Sequence, residues 1–243
     1  MKSSFAVVVP MANEAEDFTP FVTSLTEVLD VLGSGRVYFV VDKVSQDNTL
    51  ALCTTQSLQD SRFVTVWAPE NRNVVDAYMR GYKEALKNNH DFIIEMDAGL
   101  SHDPKALPEF LKVLGEGNDC AFGSRFIDGG SIRDSSLTRS FLSKIGTLLS
   151  NILLGTKMHD MTSGFQGFRA TIVDRFVTYN LLSKAHFYQT ELRYLLRKTL
   201  YIEIPIHYRA PSPSVSKKAI LNSMYVLLHY FILRLTCKAP AIR

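Results

Sequence analysis

Polar side chains follow apolar, strand-like segments at five places in the first half of the chain. Two of them are acids: Asp42 closes the segment 37–42 (VYFVVD), and Asp97 closes the segment 91–97 (DFIIEMD). Carboxylates are the groups with which proteins hold Mg²⁺ and similar cations beside phosphate oxygens. These two acids are therefore candidates for a phosphate- or metal-handling site. The other positions carry Asn13 and Glu14, then Asn71, Arg72 and Asn73, and last Gly123, Ser124 and Arg125.

The segments that position these residues alternate between strand and helix. Short apolar segments at 5–10, 37–42, 63–68, 91–97 and 119–126 predict strands, of which 5–10 is uniformly apolar as for a strand buried on both faces, and the stretches between them predict helices. This alternation predicts an α/β fold with a mostly parallel sheet covered by helices on both faces. Because parallel strands end at one edge of a sheet, we expect the five polar groups to converge there.

The second half is organised differently. It contains a predicted amphipathic helix at 138–155, a loop at 159–169, a helix around 187–198, a strand at 201–209 and a Pro/Ser-rich loop. The apolar tail 219–235 is shorter than a typical membrane span and includes Asn222, His229 and Arg234. It is expected to lie in a membrane interface or bind a partner protein, with plain packing and membrane spanning left open.

Composition narrows the function classes. The 243 residues are 46% hydrophobic with a net charge of +3, which fits one α/β domain and gives no indication of nucleic-acid binding. Three widely spaced cysteines predict reduced thiols in a cytoplasmic protein. The short apolar run after Met1 ends at Pro10 and is not expected to be a signal peptide.

Six motifs occur in an order that resembles the family-2 glycosyltransferases, in particular the branch that transfers mannose to polyprenyl (dolichol) phosphate. They are VVVPMANE, VVDKVSQDNT, ENRNVVDAYMRGYKEAL, MDAGLSHDP, GSRFIDGG and DMTSGFQGFR. The resemblance implies a GT-A domain over 1–217, followed by an amphipathic or apolar helix over 218–243. It also implies inverting transfer of a hexose from a nucleotide sugar to a polyprenyl-phosphate-like acceptor. The enzyme is then expected in the cytoplasm, peripherally on the inner face of the membrane.

The resemblance also assigns roles to residues. Asp97 corresponds to an acid that holds Mg²⁺ or Mn²⁺ on the donor diphosphate. Asp97, Arg125 and Arg139 are the implied catalytic residues. Guanidinium groups pair with phosphate in a bidentate manner, so Arg133 is a further candidate for the acceptor phosphate. The implied donor site comprises Pro10, Asn13, Glu14, Asp42, Lys43, Asn71, Asp97, Gln189 and Glu191. The implied acceptor site comprises Arg125, Arg133, Arg139, Ser163, Gly164, Ser216 and Lys217.

The chain departs from the family pattern at two acidic positions. Lys43 stands where the family has the second acid of a VDD pair, and Gly99 stands where it has the second acid of a DxD motif. We therefore expect the metal to bind weakly or only together with the donor, with Lys43 or an arginine supplying positive charge. His102 and Asp103 are alternative metal ligands, although Asp103 before Pro104 is typical of a helix cap.

A third departure lies near the end of the domain. The family's Arg and Gly before Ser216 and Lys217 are replaced by Pro213 and Ser214, and Arg209 is a candidate substitute. Two alternatives to the lipid-phosphate transferase stay open. One is a soluble glycosyltransferase acting on a glycan or small molecule. The other is a catalytically degenerate homologue that serves as a binding subunit, which Lys43 and Gly99 motivate.

Overall fold

The fold is built from nine strands and eight α-helices in the part of the chain described by a computed structural model, residues 3–133, 137–209 and 216–242, apart from the side chains of 137–139. The strands are β1 (Phe5–Met11), β2 (Gly35–Val41), β3 (Phe63–Trp67), β4 (Phe92–Glu95), β5 (Cys120–Ser124), β6 (Ser131–Arg133), β7 (Gln166–Arg169), β8 (Tyr201–Pro205) and β9 (His207–Arg209). The helices are α1 (Phe18–Leu32), α2 (Thr49–Gln59), α3 (Val74–Lys87), α4 (Leu107–Gly115), α5 (Leu137–Leu154), α6 (Ala170–Phe176), α7 (Tyr188–Leu195) and α8 (Lys217–Leu235).

Seven strands form one sheet in the order β3-β2-β1-β4-β7-β5-β8. All of them run parallel except β7, which lies antiparallel between β4 and β5. The predicted α/β fold with a mostly parallel sheet is therefore confirmed. Because β1 to β5 share one direction, the positions after their carboxyl ends all lie at one edge of the sheet, as the sequence predicts.

The sheet is buried on both faces because alternate residues of each strand enter different cores. In β1, Ala6 and Val8 belong to the core formed with α3, α6, α7 and α8. Phe5, Val7 and Val9 belong to the core formed with α1, α2 and α4. This double burial explains why the strands appear in the sequence as continuous apolar runs.

Two strands were not predicted. The segment 159–169 was expected to be a loop throughout, but its end forms β7 at the centre of the sheet. Gly167 gives the segment a turn-like composition. The glycine is required for packing, because a Cβ there would lie 2.9 Å from Cδ1 of Phe110. The other unpredicted strand, β6, pairs with β9 in a second, two-stranded sheet.

Helices α5 and α8 pack against each other beside the main sheet. Nη1 of Arg234 donates to the carbonyl oxygens of Ile152 and Leu153, both at 2.9 Å, and so caps the carboxyl end of α5. Val226, Leu227 and Tyr230 of α8 enter the same core as α3 and α7. No helix in the described part of the chain is long and apolar enough to cross a bilayer. The predicted division at 217/218 stays a prediction.

Candidate active site

Asp97 follows β4 at the carboxyl edge of the sheet, and its carboxylate is held in one orientation. Oδ1 accepts a hydrogen bond from the hydroxyl of Tyr78 on α3 at 2.8 Å. Its backbone N–H donates to Nδ1 of His102 at 3.0 Å. The Asp97 side chain is nevertheless 31% exposed. It is therefore a positioned carboxylate that a ligand can still reach.

The buried ring of His102 holds the backbone at Asp97 in place. Its ring is fully buried, stacked on Phe165 with centroids 4.8 Å apart, and burial lowers its pKa. Since Nδ1 accepts from Asp97, the proton of the neutral ring is on Nε2, which lies 3.8 Å from Oδ2 of Asp97. His102 is thus a positioning residue rather than the metal ligand considered above. Asp103 is a cap: its Oδ1 accepts from the backbone N–H of Lys105 at 3.0 Å.

Glu14 faces the position of the missing acid. Gly99 has φ +72°, and a Cβ built on it would lie 3.0 Å from Oε2 of Glu14 and 3.8 Å from Oδ2 of Asp17. Burial, followed by the carboxylates of Asp17, Asp97 and Asp47 in that order, raises the pKa of Glu14 to about 7. The Glu14 carboxyl group thus lies beside Gly99, and the negative charge of Asp97 contributes to its raised pKa.

The loops after β1 and β2 are joined by hydrogen bonds. Oδ1 of Asn13, a residue with φ +59°, accepts from the backbone N–H of Gln46 at 2.9 Å. Asp47 accepts from the N–H of Ala15 at 3.0 Å. Asp42 is buried, and its Oδ1 accepts from the N–H of Val44 at 2.8 Å, while Lys43 is exposed. Asp42 therefore stabilises the loop after β2 and also lies at the carboxyl edge of the sheet.

Asn71 after β3 has an unsatisfied donor. The residue is buried, yet its Nδ2 has no hydrogen-bond partner among the described residues. Buried amide groups are nearly always paired, so an orphaned one at this edge indicates a ligand-facing position. The structure therefore brings Asn13, Glu14, Asp42, Asn71 and Asp97 to one edge. Pro10, half-buried in β1, is the last residue but one of its strand.

Arg125 does not present a free guanidinium to solvent, as an acceptor-phosphate role implies. Its Nε and Nη2 donate to the two carboxylate oxygens of Asp160 at 2.7 and 2.8 Å, and Nη2 also contacts Oγ1 of Thr162 at 2.6 Å. Both side chains are buried. Burial raises the pKa of Asp160, but the hydrogen bonds and charge of Arg125, together with the charge of Arg193 and the backbone N–H of Thr162, outweigh it and hold that pKa below its usual value. Arg125 thus fixes the 160–162 loop to the end of β5.

A second buried arginine, Arg193 of α7, was missed by the sequence analysis. Its Nη2 donates to the carbonyl oxygens of Ser163 at 3.0 Å and Gly123 at 3.2 Å, and its Nη1 donates to that of Asp160. Its Nε donates to Oε1 of Gln166 at 3.1 Å. The guanidinium therefore ties the loop 160–163 to the sheet. The signal available in the sequence was the single arginine of this helix.

Ser163 and the adjacent Gly164 lie at the end of this loop, and Gly164 packs against Gln189 of α7. All three are buried, and a Cβ on Gly164 would lie 2.0 Å from Nε2 of Gln189. Glu191, expected near the donor, instead accepts from the N–H groups of Leu182 and Ser183 and from the hydroxyl of Tyr230. Because both of its oxygens are bonded within the fold, we do not include Glu191 in the donor site.

The remaining predicted acceptor residues fall in different places. Arg133 on β6 is exposed and is the register partner of Arg209 on β9, whose N–H donates to the carbonyl oxygen of Ser101 at 3.0 Å. Ser216 caps α8, with its Oγ accepting from the N–H of Ala219 at 3.2 Å, and Lys217 is exposed beside it. The side chain of Arg139 lies outside the described residues.

Comparison with known proteins places these features in a family. The model of the family described as Glycosyl transferase family 2 matches residues 6–177. The chain is 30% identical over 227 residues to polyprenol monophosphomannose synthase of Mycolicibacterium smegmatis, covering 89% of this chain and 81% of that protein. It is 27% identical over 203 residues to undecaprenyl-phosphate mannosyltransferase of Micrococcus luteus, covering 83% and 82%.

A solved structure shares the fold. Glucosyl-3-phosphoglycerate synthase from Mycobacterium tuberculosis, in complex with Mn²⁺, UDP-glucose and phosphoglyceric acid, superposes with a TM-score of 0.68. The two chains are 15% identical, and the match covers 96% of this chain and 79% of that one. The architecture is thus the GT-A fold of nucleotide-sugar-dependent transferases. The chain belongs to glycosyl transferase family 2, which confirms the resemblance drawn from the six motifs.

Ligands for a divalent metal are few at this edge of the sheet. The described part of the chain contains no group of three or more His, Cys, Asp or Glu side chains arranged to hold a metal ion. Asp97, with the nearby Glu14, supplies at most two carboxylates. Mg²⁺ and Mn²⁺ are commonly held by one or two carboxylates together with substrate phosphates and water. The donor set therefore fits a metal that arrives with a nucleotide diphosphate, not one held tightly by the protein alone.

Proposed function

We propose that this glycosyltransferase moves a hexose from a nucleotide sugar to the phosphate of a polyprenyl phosphate, with inversion at the anomeric carbon. The observation that carries the proposal is the Asp97 carboxylate, oriented by Tyr78 and open to solvent at the carboxyl edge of the sheet. The relatives support the acceptor class, since one is named polyprenol monophosphomannose synthase and the other undecaprenyl-phosphate mannosyltransferase.

The donor binds along the edge formed by the loops after β1 to β4. The unsatisfied Nδ2 of Asn71 and the Asn13 and Asp42 loops contact the nucleoside, while Asp97 faces the diphosphate. Asp97 and Glu14 would hold Mg²⁺ or Mn²⁺. When bound, this ion supplies positive charge to the leaving diphosphate. Lys43 is exposed at the same edge and adds a further cation.

The acceptor phosphate is an anion near neutral pH and needs no strong general base. One of its oxygens forms the new bond to the anomeric carbon. The bond from that carbon to the donor phosphate breaks on the opposite side, and the nucleoside diphosphate leaves with the electron pair. Arg133 and Arg209 are neighbouring exposed guanidinium groups on β6 and β9, next to the Asp97–Ser101 loop, and suit phosphate placement.

Membrane association follows from the surfaces of α5 and α8. Exposed large apolar side chains continue across both helices: Phe141, Leu142, Ile145, Leu148, Leu149 and Ile152 on α5, with Leu221, Met224, Tyr225, Leu228, Ile232 and Leu235 on α8. Such a surface fits peripheral binding at a bilayer interface, where the lipid acceptor resides. We place the enzyme on the cytoplasmic face of the membrane. A partner protein at α8 stays a prediction.

The test is a transfer assay with labelled GDP-, UDP-, TDP- and CDP-sugars, each with and without Mn²⁺, and polyprenyl phosphate in detergent. Label recovered in the lipid fraction supports the proposal. Donor hydrolysis with label appearing only on a soluble glycan or small acceptor supports the soluble transferase instead. A chain that neither binds nor turns over any donor is the degenerate homologue that Gly99 and Lys43 motivate.

A further inference from the structure

A buried carboxyl group closes β4, two residues before Asp97. The Glu95 side chain is fully buried; the hydroxyl of Tyr82 donates to its Oε2, and Nε2 of Gln166 donates to its Oε1 at 2.6 Å. Both donors are neutral. Arg193 is linked to the carboxyl group through Gln166, whose Oε1 accepts from Nε of Arg193 at 3.1 Å, and not by a direct ion pair. The carboxyl group is therefore part of a buried hydrogen-bond network that begins beside the candidate active site.

Stability alone does not explain a carboxyl group at this place. Burying one without an ion-pair partner costs free energy, and hydrogen bonds to neutral donors only partly offset that cost. The neighbouring residues of the segment are buried and apolar: Phe92, Ile93, Ile94 and Met96. Because side chains alternate along a strand, Glu95 faces the same core as Ile93, which also contains residues of α3 and α7. A buried acid at the end of an apolar strand, beside a candidate active site, indicates a role in that site.

On one side of the network, Glu95 holds the helix that orients Asp97. Its partner Tyr82 lies one turn after Tyr78 on α3, and the two rings stack with their centroids 6.3 Å apart. The Tyr78 hydroxyl donates to Oδ1 of Asp97 at 2.8 Å. Helix α3 therefore places two tyrosine hydroxyls on two carboxyl groups that are two residues apart in the chain. A shift of α3 relative to β4 would change both contacts together.

On the other side of the network, Glu95 is linked to the loop 160–163. Glu95 and Gln166 are register partners on β4 and β7, so their side chains lie on the same face of the sheet. The Gln166 amide is oriented by its two partners, because its N–H faces the carboxyl group and its oxygen faces the Arg193 guanidinium. Arg193 in turn donates to two carbonyl oxygens of the loop. The hydrogen bonds therefore run without interruption from Glu95 to the loop.

Helix α7 connects the two sides. Tyr188 on α7 packs its ring against that of Tyr78, with the centroids 5.2 Å apart, and the same helix carries Arg193. The groups that hold Asp97 and the groups that hold the loop are thus fixed relative to one another by one buried carboxyl group and the two helices beside it.

We propose that Glu95 is a positioning residue for sugar transfer: its carboxyl group holds the Asp97 carboxylate and the loop 160–163 in a fixed relation. The proposal rests on the proposed function, in which the donor diphosphate lies at Asp97 and the acceptor lies on the side of that loop. Because Glu95 is fully buried, it acts through Tyr82 and Gln166 and not by touching a substrate. Its contribution is to the rate, since in-line displacement requires the reacting atoms to be held at the right distance.

The first test removes one hydroxyl and keeps the ring. Tyr82→Phe deletes a donor to Glu95 and is expected to lower kcat for transfer about tenfold or more, since a misplacement of about 1 Å can cost about 10²-fold. KM for the nucleotide sugar should change less than about twofold, because the lost effect lies in the geometry of the transition state. The matched control is Tyr38→Phe, which removes a hydroxyl of the same core that pairs with Nε2 of His90 at 2.9 Å. The control should transfer at the rate of the parent. Equal losses of kcat in the two variants, or no loss in Tyr82→Phe, overturn the proposal.

The second test changes Glu95 itself. Glu95→Leu has a similar size but removes both acceptor oxygens, and it is expected to lower kcat about 10²-fold. Glu95→Gln keeps an acceptor oxygen for the Gln166 amide and a polar partner for Tyr82, so it should recover at least about tenfold of that loss. A Glu95→Leu variant as active as the parent, or a Glu95→Gln variant no better than Glu95→Leu, overturns the proposal. If Glu95→Leu does not fold, the comparison of Tyr82→Phe with Tyr38→Phe decides, because both variants keep their rings in the core.

Hydrolysis of the donor is measured alongside transfer, because it requires no lipid acceptor. A parent protein that hydrolyses the donor but labels no polyprenyl phosphate rejects the proposed function. The comparison of Tyr82→Phe with Tyr38→Phe is then made on hydrolysis, where a loss confined to Tyr82→Phe still supports the positioning role of Glu95. Equal hydrolysis in the two variants overturns that role.

Discussion

Glu14 lies beside Gly99: its Oε2 is 3.0 Å from the position that a Cβ of residue 99 would take. The second acid of the family's DxD motif is lost in this chain, and a carboxyl group from the β1 loop occupies the space beside it. A side chain at position 99 would come into tight contact with Glu14, so the Glu14 carboxyl group would have to shift to admit it. This relationship gives Asp97 a carboxylate neighbour that local sequence does not reveal.

Gly99→Ala is expected to destabilise the protein by about 1–2 kcal/mol, because a residue with Cβ is strained at positive φ, and also to displace Glu14. Gly117→Ala is the matched control. Gly117 also has positive φ, +111°, but a Cβ there meets nothing within 4 Å. Both variants should lose similar stability in urea, and only Gly99→Ala should weaken Mn²⁺-nucleotide binding by calorimetry. Equal nucleotide binding in the two variants would argue against a role for Glu14 at this site.

The buried Arg125–Asp160 ion pair is expected to contribute to the stability of the fold. Arg125→Ala leaves the buried Asp160 carboxylate without its partner and is expected to cost about 3–5 kcal/mol in urea unfolding. Lys112→Ala, which breaks the exposed pair with Glu109 on α4, is the control and should cost less than about 1 kcal/mol. If Arg125→Ala costs no more than the control, the guanidinium is not the structural anchor of the 160–162 loop.

Gly164 and Gln189 are expected to be coupled. Gly164→Ala places a Cβ 2.0 Å from Nε2 of Gln189, a buried side chain with little room to move. Overpacking of this kind typically costs about 1–3 kcal/mol. Gln189→Ala removes the obstructing atoms, so the double variant should recover most of that loss. A double-mutant cycle with additive effects would show that the two residues are not packed as described.

His90 should make stability depend on pH in the acid range. Its Nε2 lies 2.9 Å from the hydroxyl of Tyr38, and burial followed by the nearby Arg36 lowers its pKa. The unfolded chain therefore takes up a proton near pH 6.5, before the folded chain does, and His90 reduces stability as pH falls below that value. In urea melts between pH 7.5 and 5, His90→Gln should lose less stability than the parent. A steeper or equal loss in the variant contradicts this assignment.

The parts of the fold that the sequence predicts are those with a local signal. β1 is an uninterrupted apolar run, β2 and β4 are mostly apolar, and α1 has regular apolar spacing, so their approximate positions follow from the sequence pattern alone. β7 was missed because Gly167 and Gln166 resemble a turn, although Gly167 is there to admit Phe110. Its identity as a strand is decided by pairing with β4 and β5, which are distant in sequence.

In the candidate site too, residues with a local sequence signal could be predicted and long-range contacts could not. Asp42, Asn71 and Asp97 could be proposed from the sequence because each lies at or shortly after the end of a strand of the parallel sheet. The contact of Glu14 with Gly99 and the bonding of Arg193 to the 160–163 loop arise from long-range packing that no local pattern encodes. The sequence indicated Arg125 as a candidate residue. It did not indicate the ion pair of Arg125 with Asp160, which is 35 positions away in the chain.

The most direct measurement of the central claim is the anomeric configuration of the lipid product, determined by NMR after transfer from an α-linked nucleotide sugar, with Asp97→Asn in parallel. Direct displacement by the acceptor phosphate predicts a β-linked sugar phosphate. It also predicts a loss of about 10²–10³ in kcat for Asp97→Asn, because a positioned charge at the leaving diphosphate is removed, while the melting temperature stays unchanged. An α-linked product, or an Asp97→Asn variant that transfers as well as the parent, would contradict the account.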